Sequence, residues 1–352
     1  MPKNIVVFSD GTGQEGGKGN NSNIYKLFNM IEDRTARQVA FYDRGLGTGW
    51  RKLTGLVGGR GISQNICECY EFIFENFEAG DQIFLFGFSR GAATVRSLSS
   101  FLHYFGILPK SRPELIKSAY KIYKIENEER RQRKAAEFIQ RHRTMWARIK
   151  FLGCFDTVAA LGLPIKWASA IIDGIPGFRH KFHNFALSES VENAYHALAI
   201  DDERKTFHPV LWDSKGKDYQ SIRQVWFCGM HSDVGGSYKE SELSDIALVW
   251  MTEMAVAKGL WIYPDHKVEI SENANGHMHD SRSGLTGKLY RRKIRYWPEG
   301  RSDKPVVHQS VLDRKKNINN EDAPPYHPWI FDLNHEVEPW KRYENQEWPH
   351  RR

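Results

Sequence analysis

A serine framed by glycines, two aspartates at the ends of apolar runs and a set of late histidines are the residues of this sequence whose types and spacing could do chemistry. Gly87-Phe88-Ser89-Arg90-Gly91 follows the apolar run Asp81 to Phe86 and leads into Ala92 to Leu98, a strand, a sharp turn and a helix in succession. A tight turn of this kind lifts a serine hydroxyl above a sheet edge, where it becomes a usable nucleophile. Glycine at positions 87 and 91 lets backbone approach closely, and the helix opening after Ser89 aims free N–H groups at a developing oxyanion.

A serine nucleophile needs a base, and a histidine base needs a carboxylate to fix its tautomer. In chain order the acid and then the histidine follow the serine. Asp156, in Cys154-Phe155-Asp156-Thr157, and Asp233, in His231-Ser232-Asp233-Val234-Gly235-Gly236, both stand at ends of apolar runs. Asp233 is favoured, because the acid of such a fold usually follows the second strand beyond the nucleophile; its structural alternative is to cap a turn. Seven histidines come later: His266, His277, His279, His308, His327, His335 and His350. His308 lies in the apolar setting Val306-Val307-His308 and is the expected base, with His279, in a polar stretch, the runner-up. The expected triad is Ser89, Asp233 and His308, and Asp10, Asp156, His231 and His279 stand as supporting or alternative site residues.

The elements that must position these groups alternate. Strand-like runs at Asn4 to Ser9, Gln38 to Tyr42, Gln82 to Phe86, Ile149 to Cys154 and Arg223 to Cys228 are separated by helical patterns at Ile24 to Ile31, Ile62 to Phe77, Ala92 to Phe105 and Ser190 to Ile200, with another at Leu243 to Ala257. That alternation predicts an α/β fold with a mostly parallel central sheet, helices on both faces and helical insertions, and gathers functional loops at the carboxyl ends of the strands. One domain over 1–352 is expected, with a helical insertion at about 107–147, an apolar cap at about 159–185 and a C-terminal wrapping tail at about 313–352. The charged segment Lys121 to Arg148 suggests a solvated helix pair or a platform for an anionic membrane.

Composition excludes little: 352 residues, 40% hydrophobic and 26% charged, are ordinary for a globular enzyme, and no apolar run is long enough to span a bilayer. The net charge of +7 suits an anionic surface, without choosing between lipid and nucleic acid; with an ester or lipid as substrate, nucleic acid is not the expected partner. Four cysteines in mostly apolar segments and the lack of an export leader suggest reduced thiols and a cytoplasmic protein. No histidine and carboxylate cluster has ligand spacing, so neither metal nor other cofactor is expected.

Six ordered motifs carry a resemblance: Phe8-Ser9-Asp10-Gly11-Thr12-Gly13, Tyr42-Asp43-Arg44-Gly45-Leu46-Gly47-Thr48, Gly87-Phe88-Ser89-Arg90-Gly91-Ala92, Asp156-Thr157-Val158, His196 through Arg204, and His231-Ser232-Asp233-Val234-Gly235-Gly236. Together, over roughly residues 4–260, the chain resembles the α/β-hydrolase family that includes the phospholipase effectors of bacterial type VI secretion. The resemblance implies that Ser89 is the lipase nucleophile and that an aspartate and a histidine complete its triad. Phe155, where a tryptophan is common, and Ser237, where a third glycine is common, depart from the pattern, and the large extra domain of some effectors is not expected within these 352 residues.

The expected function is therefore that of a serine hydrolase of carboxylic esters, a lipase or phospholipase working through an acyl-enzyme on Ser89. Gly11, Thr12 and Arg90 are expected to supply oxyanion N–H groups. Two alternatives belong to other classes: a hydrolase-fold binding protein with a degenerate triad, and a phosphate-ester enzyme using Asp10.

Overall fold

The computed structural model describes residues 2–11, 13–14, 16–17, 19–45, 60–158, 187–213, 216–283, 289–315 and 325–341. The cap expected at 159–185 and much of the tail expected at 313–352 lie outside the described residues, as does Thr12.

Among the described residues nine strands form one sheet: β1 (Asn4–Ser9), β2 (Arg34–Thr35), β3 (Gln38–Asp43), β4 (Gln82–Phe88), β5 (Ile149–Phe155), β6 (Asn193–Ala199), β7 (Ser221–Phe227), β8 (Val306–His308) and β9 (Glu336–Glu338). Their order is β2-β3-β1-β4-β5-β6-β7-β8-β9, and every pairing is parallel except β2 with β3. This is an α/β fold with a mostly parallel central sheet. The chain leaves β1 for β3 on one side and returns past it to β4 on the other, so the crevice at the carboxyl ends of β1 and β4 is the topological switch point where such sheets place ligands.

Successive residues of each strand serve opposite cores. Val6 and Phe8 of β1 and Phe84 and Phe86 of β4 pack with α1 (Asn23–Met30) and the long helix Glu242–Ala257. Ile5, Val7, Ile83 and Leu85 face α2 (Arg60–Asn76), α3 (Arg90–Phe105), α4 (Leu115–Tyr123) and α5 (Glu128–His142). Both faces being covered explains why the strands read as continuous apolar runs. In the charged insertion, α5 buries Arg131, Ala135 and Phe138, a stripe at helical spacing whose Phe138 meets Phe105 of α3 edge to face. Asn127 starts this helix by accepting the Arg130 N–H, and Arg143 ends it in the left-handed conformation.

The helix expected at Ser190 to Ile200 is instead β6. All seven of its residues are buried between β5 and β7, and its alanines and leucine read as helical by propensity alone; burial on both faces decides otherwise. With β6 in place, Asp233 follows the third strand beyond the nucleophile strand, not the second. Among the described residues the remaining α-helices are α6 (His231–Gly235), α7 (Glu242–Ala257) and α8 (Gln309–Asp313).

Candidate active site

Ser89 occupies the junction of β4 and α3 with φ 58° and ψ −119°, a backbone conformation costly for any residue with a Cβ. Close packing enforces it. A Cβ on Gly91 would meet Ser9 O at 2.0 Å, and one on Gly87 would meet the Ala92 backbone at 2.6 Å, so glycine at both positions lets α3 start directly against β1. The Ser89 N–H donates to Phe155 O of the neighbouring strand at 3.1 Å. As the first residue of α3, Arg90 has an N–H with no intrahelical acceptor, one of the donors a helix start offers to an anion.

The preceding residue, Phe88, is the wedge of the site. Its ring lies 3.0 Å from where a Gly11 Cβ would stand, 2.0 Å from where a Gly235 Cβ would stand, and 4.7 Å from the His231 ring, centroid to centroid. Through this ring the serine turn, the loop after β1 and the short helix α6 are packed together.

Asp233, the third residue of α6, does two things at once. Its Oδ2 accepts the Met230 N–H at 3.1 Å, closing the start of the helix, and the His279 N–H at 3.0 Å. Its Oδ1 accepts from His279 Nδ1 at 2.6 Å. Gly229, at φ 100°, makes room for this carboxylate, since a Cβ there would lie 2.4 Å from the Asp233 Cβ. The His279 ring is stacked on Tyr238 with centroids 3.7 Å apart, and its other nitrogen, Nε2, points outward 3.6 Å from Glu240. The His279 side chain keeps 19% exposure while Asp233 keeps none, the arrangement of a base that is reachable and an acid that is not. Asn23, on α1, donates to Val234 O and Ser244 O and so ties α6 to the helices on either side.

Asp156 forms a second, deeper cluster. Its carboxylate receives both terminal nitrogens of Arg295 at 2.6 and 2.8 Å and His231 Nδ1 at 2.5 Å. Burial alone would raise its pKa, but the fully buried Arg295 guanidinium, helped by His231, holds the carboxyl well below the usual range. Arg295 also donates to Ala199 O and Phe207 O. The His231 ring is held between Phe88 and Phe207, with 6% of its side chain exposed.

Asp10 is 1% exposed and accepts from Ser22 Oγ at 2.5 Å, Tyr42 Oη at 2.6 Å and the Gly11 N–H at 2.6 Å. Burial raises its pKa despite these donors. It fastens the loop after β1 to α1 and β3, and with its oxygens so covered it presents no free carboxylate to a phosphate ester. The same bond corrects the expectation for Gly11: its N–H is spent on Asp10 and does not face the serine.

The structure does not bring His308 to Asp233. His308 ends β8, 1% exposed and stacked on Phe227 at 4.7 Å; its Nδ1 is bonded to Ser310 Oγ at 2.8 Å and faces the Ser310 N–H at 3.3 Å. Burial pushes its pKa down to about 3, so it is a neutral ring in the core. The apolar context that made it attractive in sequence is the context that buries it. Arg295, 139 residues from Asp156 in the chain, had no signal in the sequence around either residue. Among the described residues no group of three or more His, Cys, Asp or Glu side chains could hold a metal ion, and no helix is long and apolar enough to cross a membrane.

A mostly parallel sheet with a strained serine turn and a carboxylate–imidazole pair over its carboxyl edge defines an α/β-hydrolase-like protein. The family described as T6SS, Phospholipase effector Tle1-like, catalytic domain matches residues 3–254, and the chain belongs to that family. An uncharacterized protein of Saccharomyces cerevisiae is 30% identical over 230 residues, covering 58% of this chain and 32% of its own. Two solved structures are similar: an uncharacterized protein from Pseudomonas aeruginosa (TM-score 0.47, 17% identity, 78% of this chain and 49% of that one) and the Tle1 effector bound to the VgrG spike of the type VI secretion system (TM-score 0.38, 19% identity, 68% and 52%). The chain thus spans about a third of the yeast relative's length and about half of each solved chain.

Proposed function

We propose that the protein is a serine hydrolase that cleaves the carboxylic esters of phospholipids, with Ser89 as nucleophile, His279 as base and Asp233 as the acid that orients it. The observation that carries this reading is the 2.6 Å bond from His279 Nδ1 to a buried Asp233, which leaves Nε2 on the open side. Ser89 Oγ adds to the ester carbonyl while His279 Nε2 takes its proton, and the N–H groups at the start of α3 receive the oxyanion. The C–O bond then breaks, the leaving alkoxide takes the proton from His279, and water hydrolyses the acyl-enzyme by the same route.

His231 with Asp156 is the second pair that keeps the chain order of a triad, and its ring touches the residue before the nucleophile. Charge favours the first pair. Arg295 already neutralises Asp156, so an imidazolium formed at His231 would meet a compensated carboxylate and a guanidinium beyond it. The only cationic side chain paired with Asp233 among the described residues is His279 itself. Membership of the phospholipase family supports the lipid substrate. The test is hydrolysis of a short soluble ester and of phospholipid vesicles by wild type, Ser89→Ala, His279→Ala and His231→Ala. Loss of both activities with the first two substitutions supports the assignment. Full activity in His279→Ala with loss in His231→Ala moves the base to the second pair, and full activity in Ser89→Ala removes the serine mechanism.

A further inference from the structure

The segment after the His279 loop is bound firmly by its backbone while most of its side chains stand in solvent. Lys293 N–H donates to Glu203 O at 2.7 Å, the Lys205 N–H donates to Arg291 O at 2.9 Å, and Arg204 and Arg292 form an antiparallel bridge, so residues 291–293 lie as a short strand along the loop that follows β6. Arg295 nails its end inward through the ion pair with Asp156, at the same carboxyl edge as Ser89. Yet Leu289, Ile294 and Tyr296 are 55%, 52% and 51% exposed, flanking the exposed run Arg291-Arg292-Lys293, of which Arg292 is paired with Glu203 at 2.7 Å. Ordering backbone costs entropy that is normally offset by burying side chains, and here three large apolar ones stay out.

We propose that this strip, residues 289–296, is the surface by which the protein docks on an anionic phospholipid bilayer, bringing the mouth of the site to its substrate. The inference rests on the phospholipid reading above. A run of cations flanked by leucine on one side and by isoleucine and tyrosine on the other suits the headgroup region, where phosphates meet the first acyl methylenes; a nucleic acid would satisfy the cations and leave the aliphatic side chains wet. The other basic candidate, the helical insertion, fails on position. Its exposed aromatic, Trp146, precedes the first residue of β5 by three positions and therefore lies at the amino edge of the sheet, opposite Ser89.

Binding is read by co-sedimentation of the Ser89→Ala protein, which does not turn over, with phosphatidylcholine vesicles with and without phosphatidylglycerol. The expected result is binding that requires phosphatidylglycerol and weakens with salt. Arg291→Gln with Lys293→Gln should weaken it about 25-fold, since each basic residue near an anionic surface strengthens binding about fivefold, and Ile294→Ser should weaken it without altering the salt dependence. In the Ser89 background, these substitutions should slow vesicle hydrolysis and leave the soluble-ester rate unchanged. Wild-type binding by the strip variants, or no vesicle binding by the parent, overturns the proposal, as does a soluble-ester rate that falls in step with the vesicle rate. Strip-dependent binding by a protein inactive on every ester would leave the docking surface standing and remove the catalytic reading.

Discussion

Replacing Asp233 by asparagine separates its chemical task from its structural one, because the local bonds dictate how the amide must lie. Two backbone N–H groups, of Met230 at 3.1 Å and His279 at 3.0 Å, point at Oδ2. The amide oxygen has to take that side, since an NH2 there would face two donors. The NH2 then faces His279 Nδ1, 2.6 Å from the position of Oδ1, and can only donate. Nδ1 becomes an acceptor, the ring proton moves to Nε2, and the nitrogen that should take the serine proton already carries one. A carboxylate-to-amide change of this kind costs about 10⁴ in kcat in serine triads. Because both backbone bonds survive, the fold should lose no more than about 1 kcal/mol. Soluble-ester kinetics with a denaturant titration of the same preparations read both quantities. An Asp233→Asn protein that stays folded and keeps its rate within about tenfold of wild type would refute the reasoning, since the tautomer argument allows no such remnant.

Three further outcomes follow from the geometry. Ser89→Gly should abolish ester hydrolysis yet raise the unfolding free energy by about 1 kcal/mol, because glycine relieves the φ of 58°; a lower midpoint in urea would mean the turn is not strained. Arg295→Met should destabilise the protein by about 3–5 kcal/mol, since it leaves the Asp156 carboxylate buried beside His231 alone, and pairing it with Asp156→Asn should recover part of that loss in the same titration. His308 has its pKa depressed by burial, from 6.5 to about 3, so its contribution is fully present above pH 6.5 and is lost as pH falls towards 3. Relative to wild type, His308→Phe should therefore keep about 2 kcal/mol more of its own stability on going from pH 6.5 to 5, and an unchanged slope of stability against pH would contradict the buried neutral ring.

Local chemistry is what the sequence displays best. The strand, turn and helix around Ser89 lie within a single stretch of chain, and the structure builds them there with α2, α3 and α7 close to the expected bounds. Contacts between distant segments are what it hides. His279 meets Asp233 across 46 residues, in a polar stretch with no periodicity to mark it, whereas His308 had the apolar neighbours that usually accompany a held ring. Asn193–Ala199 was unreadable as a strand for a related reason: a strand buried on both faces shows no alternation, and alanines then tip the local preference to helix. Gly11 lay in the right loop, but only the three donors converging on Asp10 show where its N–H goes.

The most direct test of the central claim is covalent labelling by a fluorophosphonate, followed by intact mass and peptide mapping, with rates taken for wild type, His279→Ala and His308→Ala. The account predicts one adduct, on Ser89, whose formation is slowed at least a hundredfold, on the order of the general-base contribution, by His279→Ala and left unchanged by His308→Ala. An adduct on another residue, or labelling that survives His279→Ala and disappears with His308→Ala, would contradict it.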